Sequence, residues 1–388
     1  MSNMVFNTVT FHQILQPNGE YFTVPRRYEN IQPFLADKPF VAMAYDMATR
    51  RPVVIKKVVL PDNFNDRQNW KRAQRELYCM LLIEHENIVR MHSVFTPAEN
   101  INDMTEFYIV REYMSGNMKM LTNHGQHSTI KSIFFDICRA VQYFHNVNIS
   151  YRDLKPQNIL IQDSEVRICD FGHANTEDPN MNTPYIVQRY YRAPEIICET
   201  CDNNKTSVDI WSLGCLFAEL LTNHVLFQGD DHIDQFLKIV RYMGNPAPVF
   251  YQTIGNQYAK HFLQHIRLDE IPEPRPIRER FPDSWFQPGL QTDPRQCELA
   301  RDLLFKMLVV NPDFRVNIQE ILTHPYLADV WQDEGMEIGD LEPPPAPAFL
   351  RRFFGALPYS DSVQMQAEIF LRIKEFENSC DICTQSKN

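Results

Sequence analysis

Apolar and polar positions alternate over Phe40-Val-Ala-Met-Ala-Tyr45, again from Arg51 to Val59, and again over Phe107-Tyr-Ile-Val110. This is the period-two pattern of half-buried strands. Between the last two runs, Gln68 to Ile83 carries apolar residues at helical spacing among Lys, Arg and Glu. From Ser128 onward the pattern is helical, over Ile130 to His145, Val208 to Thr222, Asp231 to Tyr242 and Cys297 to Val309. The chain therefore predicts an α+β protein with a small β-rich part ahead of a large helical one. Leu341-Glu-Pro-Pro-Pro-Ala-Pro-Ala348 cannot continue a helix and reads as a stiff extended connector. Beyond it, Val363 to Glu377 is amphipathic, and the remaining residues read as a loose tail.

A chain of 388 residues, 44% of them hydrophobic, can fill a full core. A net charge of −11 opposes a dominant nucleic-acid binder, which would need a basic face. The first twenty residues lack the basic and apolar regions of a signal peptide, and no run approaches the roughly 18 apolar residues of a membrane span. Neither nucleic acid nor membrane is expected as a partner, and a cytoplasmic and nuclear location is. The nine cysteines fall mostly inside apolar runs and read as reduced core thiols. Two C-x-x-C pairs, Cys198/Cys201 and Cys380/Cys383, could mimic a zinc site but lie in a polar loop and a polar tail with no suitably spaced histidine. They read as coincidence.

Chemistry concentrates in Tyr151-Arg-Asp-Leu-Lys-Pro-Gln-Asn158 and Cys169-Asp-Phe-Gly172. A carboxylate, a lysine two residues on, an amide five on and a later Asp-containing turn offer a base, a phosphate clamp and oxygen ligands for magnesium. A polar loop between helix and strand would explain any one of these residues but hardly the ordered set.

Here the chain resembles eukaryotic protein kinases, over about residues 28 to 327. Tyr151-Arg-Asp153 is similar to the catalytic loop, Asp170-Phe-Gly172 to the magnesium loop, Ala193-Pro-Glu195 to the end of the activation segment, and Asp209-Ile-Trp211 to the anchor beneath the catalytic loop. The resemblance implies a bilobal fold, with a small β-rich N-lobe at 28–113 and a large α-helical C-lobe at 114–327. Residues 1–27 would form an N-terminal extension, 328–377 a C-terminal extension with an acidic docking region and a helix, and 378–388 a tail. It implies ATP and Mg2+ as cofactors. Asp153 would orient the substrate hydroxyl and accept its proton, and Lys155 would steady the γ-phosphate. Asn158 and Asp170 would ligate magnesium, and Lys56, paired with Glu76, would hold the α and β phosphates. Ala36, Lys38, Val41 and Met114 fall at further nucleotide-binding positions, and Glu195 would pair with Arg315 as a structural clamp.

Asn182-Thr-Pro-Tyr-Ile-Val-Gln-Arg-Tyr-Tyr-Arg-Ala-Pro-Glu195 resembles the dual-phosphorylation lip of mitogen-activated protein kinases, and Thr-Pro-Tyr points to the c-Jun N-terminal kinase branch. The implied activity is proline-directed serine/threonine phosphorylation by a monomer. It would be switched on when an upstream dual-specificity kinase modifies Thr183 and Tyr185. Arg75 and Arg152 would clamp the first phosphate and Arg189 and Arg192 the second. Asn175 stands where the family has a further lip-facing arginine. Asp333, Glu334 and Glu337 lie where the family receives basic docking peptides, carried by substrates and phosphatases. Taken by themselves they read as a solvated acidic surface.

The departures gather around the nucleotide. None of the chain's twelve glycines lies between Glu20 and Ser115, so Phe34-Leu-Ala-Asp-Lys-Pro39 stands where the family's phosphate-covering loop carries three. Arg111 occupies the gatekeeper position, where it is expected to seek a carboxylate and to draw Glu76 off Lys56. Val54 replaces an alanine above the adenine, and Gln188 replaces a threonine that bridges Asp153 and Lys155. These changes leave open an alternative of a different class, a pseudokinase acting as a docking or scaffold protein in stress signalling.

Overall fold

The computed structural model describes residues 10–34, 38–120, 127–176, 189–200, 206–246, 248–255, 257, 260–261, 274–342, 350, 352–354 and 361–379. They fall into two compact units, one drawn from 1–84, 89–114 and 359–388, the other from 85–88 and 115–358.

The first unit is built on an antiparallel sheet of β3 (Tyr28–Pro33), β4 (Val41–Asp46), β5 (Arg51–Val59), β7 (Glu106–Glu112) and β6 (Met91–Phe95), in that order. The alternation in β4, β5 and β7 sends Ala42, Ala44, Val53, Ile55, Tyr108 and Val110 into a core shared with Tyr28 and Phe95. Phe95 stacks on Tyr108 with ring centres 5.1 Å apart. The hairpin of β1 (Phe11–Leu15) and β2 (Tyr21–Pro25) adds Phe22 and Val24 to the same core. That part of the N-terminal extension is thus a separate two-stranded sheet packed on the core of the first unit. Helix α1 (Arg67–Leu82) opens on Asp66, whose carboxylate accepts the Asn69 amide at 3.3 Å and caps the first turn. The helix Ser362–Ser379 buries Met365, Ile369 and Ile373 at i, i+4 spacing and packs on α1 and β6.

The second unit is mostly helical. Helix α2 (His127–His145) and helix α3 (Ser207–Thr222) meet through Phe134 and Phe217, whose rings stack at 4.4 Å. Almost every side chain of α3 is buried, as its near-continuous apolar run requires. Gly214 lets it approach Leu308 so closely that a Cβ there would sit 2.7 Å from the leucine Cδ2. Short strands β8 (Gly116–Asn117), β10 (Ile159–Gln162) and β11 (Glu165–Ile168) form one ribbon, and β9 (Ile149–Ser150) pairs with β12 (Asn175–Thr176). The residues carrying the chemistry lie in the connections of these strands. Among the described residues no helix is long and apolar enough to cross a membrane.

Candidate active site

In the first unit, Lys56 lies in β5 opposite Val41 on one side and Ile109 on the other. Its Nζ stands 2.8 Å from Glu76 Oε1 of α1, and both side chains are largely buried. Partial burial strengthens such a pair relative to a surface one. The connection from β3 to β4 closes by backbone bonds, from Phe34 N to Val41 O at 3.2 Å and from Val41 N to Lys38 O at 3.1 Å. The Pro39 carbonyl accepts Asn18 Nδ2 at 3.2 Å. Ala36 lies outside the described residues, whereas Val41 and Met114 are buried and Lys38 is half-buried.

Arg111 faces Val54 across β5 and β7, and both are buried. The expectation that Arg111 would draw Glu76 away is not met, because Glu76 keeps its bond to Lys56. Two facing strands fix where Lys56 emerges, and α1 brings the carboxylate to it.

In the second unit, Asp153 and Lys155 meet directly, with Nζ 2.8 Å from Oδ2 and 3.1 Å from Oδ1. Asn158 donates through Nδ2 to Asp153 Oδ2 at 2.8 Å and to its carbonyl at 3.0 Å. The three residues named from their spacing thus converge on one carboxylate. Burial pushes the Asp153 carboxyl up to about 6, with Asp170 adding to the rise and Lys155 and Asn158 opposing it.

The loop is shaped from below. Asp209, fully buried at the start of α3, accepts the backbone amides of Tyr151 and Arg152, each at 2.7 Å, and His145 Nε2 lies 2.9 Å from its Oδ2. This grip holds Arg152 at φ +69°, and Asp170 stands at φ +77°. Left-handed backbone costs a non-glycine residue roughly 1–2 kcal/mol. The Tyr151 hydroxyl donates to the Cys169 carbonyl at 2.5 Å, and its ring packs on Phe144 and Phe171, each at 5.9 Å. Sequence reasoning missed His145 and this tyrosine contact. The first lies six residues ahead of the motif and the second joins two motifs, so neither shows in local spacing.

Thr183, Tyr185 and Gln188 lie outside the described residues, as do Cys201, Cys380 and Cys383. Of the arginines expected around the phosphates, Arg75 is buried in the first unit. In the second, Arg152 and Arg192 are buried and Arg189 is half-buried. Arg192 Nη1 approaches His232 Nδ1 at 3.5 Å. Asn175 is buried, and neither polar atom of its amide has a partner among the described residues. Glu195 and Arg315 form a two-pronged pair at 2.5 and 2.6 Å with both side chains fully buried. Asp333 ends the helix Ala328–Asp333, and it, Glu334 and Glu337 are exposed. Glu337 also serves as a cap for the turn Ile338–Leu341. The pattern gave no hint of Asp136 on α2, whose carboxyl is pushed up to about 7 by burial and by Glu334 and Glu86, against Asn87 and Arg139.

A protein kinase domain model matches residues 39–327. The chain belongs to the protein kinase family. Two relatives, each a stress-activated protein kinase JNK, place it in that branch of the mitogen-activated kinases. One, from Suberites domuncula, is 36% identical over 320 residues, 80% of this chain and 85% of the relative. The other, from Drosophila melanogaster, is 36% identical over 327 residues, 83% of this chain and 86% of the relative. By this membership it is a serine/threonine protein kinase. The kinase stretch contains Lys56, Glu76, Asp153, Lys155, Asn158, Asp170, Glu195 and Arg315, and it ends ahead of Asp333.

Proposed function

We propose that this chain is an ATP-dependent, proline-directed serine/threonine kinase of the mitogen-activated type, working in the cytoplasm and nucleus. The observation that carries the reading is the convergence of Lys155 and Asn158 on Asp153 above the buried Asp209. A carboxyl whose pKa is raised to about 6 is still ionised at neutral pH yet near enough to it to take a proton from a substrate hydroxyl. Asp153 orients that hydroxyl and accepts its proton, while Lys155 supplies positive charge where the γ-phosphate develops negative charge. Lys56, held by Glu76, presents an ammonium suited to the α and β phosphates. Asn158 and Asp170 carry the oxygen donors that a hard cation takes, and donation through Nδ2 turns the Asn158 amide so that an oxygen is its remaining polar atom. Magnesium there would neutralise charge on the transferring phosphate.

Phosphorylation of Thr183 and Tyr185 by an upstream dual-specificity kinase is the proposed switch, each phosphate adding about −1.5 to −2 charges near arginines. Basic peptides of substrates and phosphatases would dock at Asp333 and Glu334, and the kinase would act as a monomer. The glycine-free turn and the buried Arg111 favour a second reading, the pseudokinase that keeps the docking surface without turnover. A thermal-shift titration with Mg-ATP separates the two. Saturation at a hundred times the dissociation constant stabilises by about 2.7 kcal/mol, so the kinase reading predicts a clear rise in Tm. No shift at millimolar Mg-ATP supports the pseudokinase.

A further inference from the structure

Helix α1 is held on two faces. Glu76 leaves one of them to meet Lys56. Gln74 and Tyr78 stand two residues before and after Glu76, about 200° away around a helix that turns about 100° per residue, and so face the other side. There the helix Ser362–Ser379 meets both of them. Gln74 Nε2 donates to Glu368 Oε2 at 2.5 Å. Arg372 Nε donates to the Tyr78 hydroxyl at 3.4 Å, and its guanidinium carbon lies 5.9 Å from the centre of that ring. Gln74 and Tyr78 are four residues apart, as are Glu368 and Arg372, so the two contacts are successive rungs between matching ridges of the helices.

The rungs have a rigid base. Met365, Ile369 and Ile373 are fully buried beside them. Gln366 Nε2 donates to the Ile101 carbonyl at 3.2 Å, and Glu377 Oε1 accepts the Thr96 amide at 3.2 Å, which fastens both ends of the helix to the same unit. Arg372 is itself steadied by Glu375 at 2.8 Å. Apolar burial is non-directional and would tolerate a helix that rolls on its neighbour. Hydrogen bonds are directional and resist that roll. The polar rungs are therefore the part of the contact able to fix the rotation of α1, and with it the direction in which Glu76 points.

We propose that Glu368 and Arg372 are positioning residues for Glu76. They set α1 from the face opposite the ion pair and so keep the Lys56 ammonium paired. The consequence for ATP rests on the kinase reading above, whereas the coupling of the rungs to the ion pair does not.

The test is the rate at which acetic anhydride modifies the Lys56 amine in the whole protein, followed by peptide mass spectrometry and expressed relative to Lys57 of the same strand. An amine held as a paired ammonium reacts slowly. Glu368→Ala with Arg372→Ala should raise the Lys56 ratio about fivefold, the scale of a pair weakened by ~1 kcal/mol. Glu368→Gln with Arg372→Lys, which keeps an acceptor and a cation, should leave it near the starting value. In a Glu76→Gln background the alanine pair should produce no further increase. An equal rise with and without Glu76, a rise shared by Lys57, or no rise at all overturns the proposal. Phosphate transfer measured on the same variants keeps the two ideas apart. The predicted labelling pattern with no transfer by any variant upholds the coupling and removes the kinase reading.

Discussion

Lys56 Nζ lies 2.8 Å from Glu76 Oε1, in a unit whose turn between β3 and β4 contains no glycine. The charged pair that would receive phosphate is formed, and the backbone that would cover phosphate is altered. This division locates the expected defect in binding more than in chemistry.

Ala36→Gly with Pro39→Gly should therefore lower KM for ATP and change kcat little. Two amide contacts of about 1 kcal/mol each correspond to a fall in KM of about thirtyfold. Steady-state kinetics over an ATP range decides it, and an unchanged KM would show that the turn is not what limits binding.

The Asp153 carboxyl, raised to about 6 by burial, must be ionised to act as a base. The rate at limiting ATP and peptide should fall as pH drops through about 6. Asp153→Asn should reduce transfer by about 10²- to 10⁴-fold. Because the folded pKa lies above the unfolded value, this group favours folding most at low pH and loses that contribution as pH rises through about 6. The Asp153→Asn variant should consequently have a Tm at pH 7.5 that is unchanged or higher. A lowered Tm together with lost activity would point to a structural role.

Asp136 allows the same logic to be tested away from the catalytic loop. Burial first, then Glu334 and Glu86, raise its carboxyl to about 7. Its favourable contribution to folding is present at low pH and is lost as pH rises through about 7. The Tm gain from Asp136→Asn should grow between pH 5 and pH 8, followed by calorimetry in matched ionic strength. A gain independent of pH would contradict the assignment.

Glu195 and Arg315 are both fully buried, and Arg315 also donates to the carbonyls of Val309, Val310 and Ser207 at 2.7 to 3.0 Å. Removing one partner strands a charge in the interior, which typically costs about 3–5 kcal/mol. Glu195→Ala should lower the urea midpoint of the second unit accordingly. A loss under about 1 kcal/mol, the scale of an exposed pair, would mean that the pair is not a clamp.

Local periodicity carried most of the elements. The predicted strand from Arg51 to Val59 is β5 itself, and the helices at 130–145 and 208–222 appear within a few residues of their expected ends. The hairpin β1–β2 was not visible in the pattern, because only Phe22 and Val24 enter the core fully, Phe11 packs on it half-buried, and no regular alternation spans the two short strands. Asp153, Lys155 and Asn158 were legible because they lie within one short loop and their order is itself chemical. Asp136 was not, since its behaviour comes from Glu86 and Glu334, far away along the chain. The fate of Arg111 was misread for a related reason. The sequence named a plausible carboxylate, but the geometry of β5 and α1 gives that carboxylate to Lys56 first.

The most direct measurement is transfer of phosphate from Mg-ATP to a peptide with proline after its serine or threonine, before and after an upstream dual-specificity kinase has modified Thr183 and Tyr185. The account predicts transfer that rises with phosphorylation of both residues, saturates only at high ATP, and is lost in Asp153→Asn. No transfer by the doubly phosphorylated protein at saturating Mg-ATP, or transfer that survives Asp153→Asn, would contradict it.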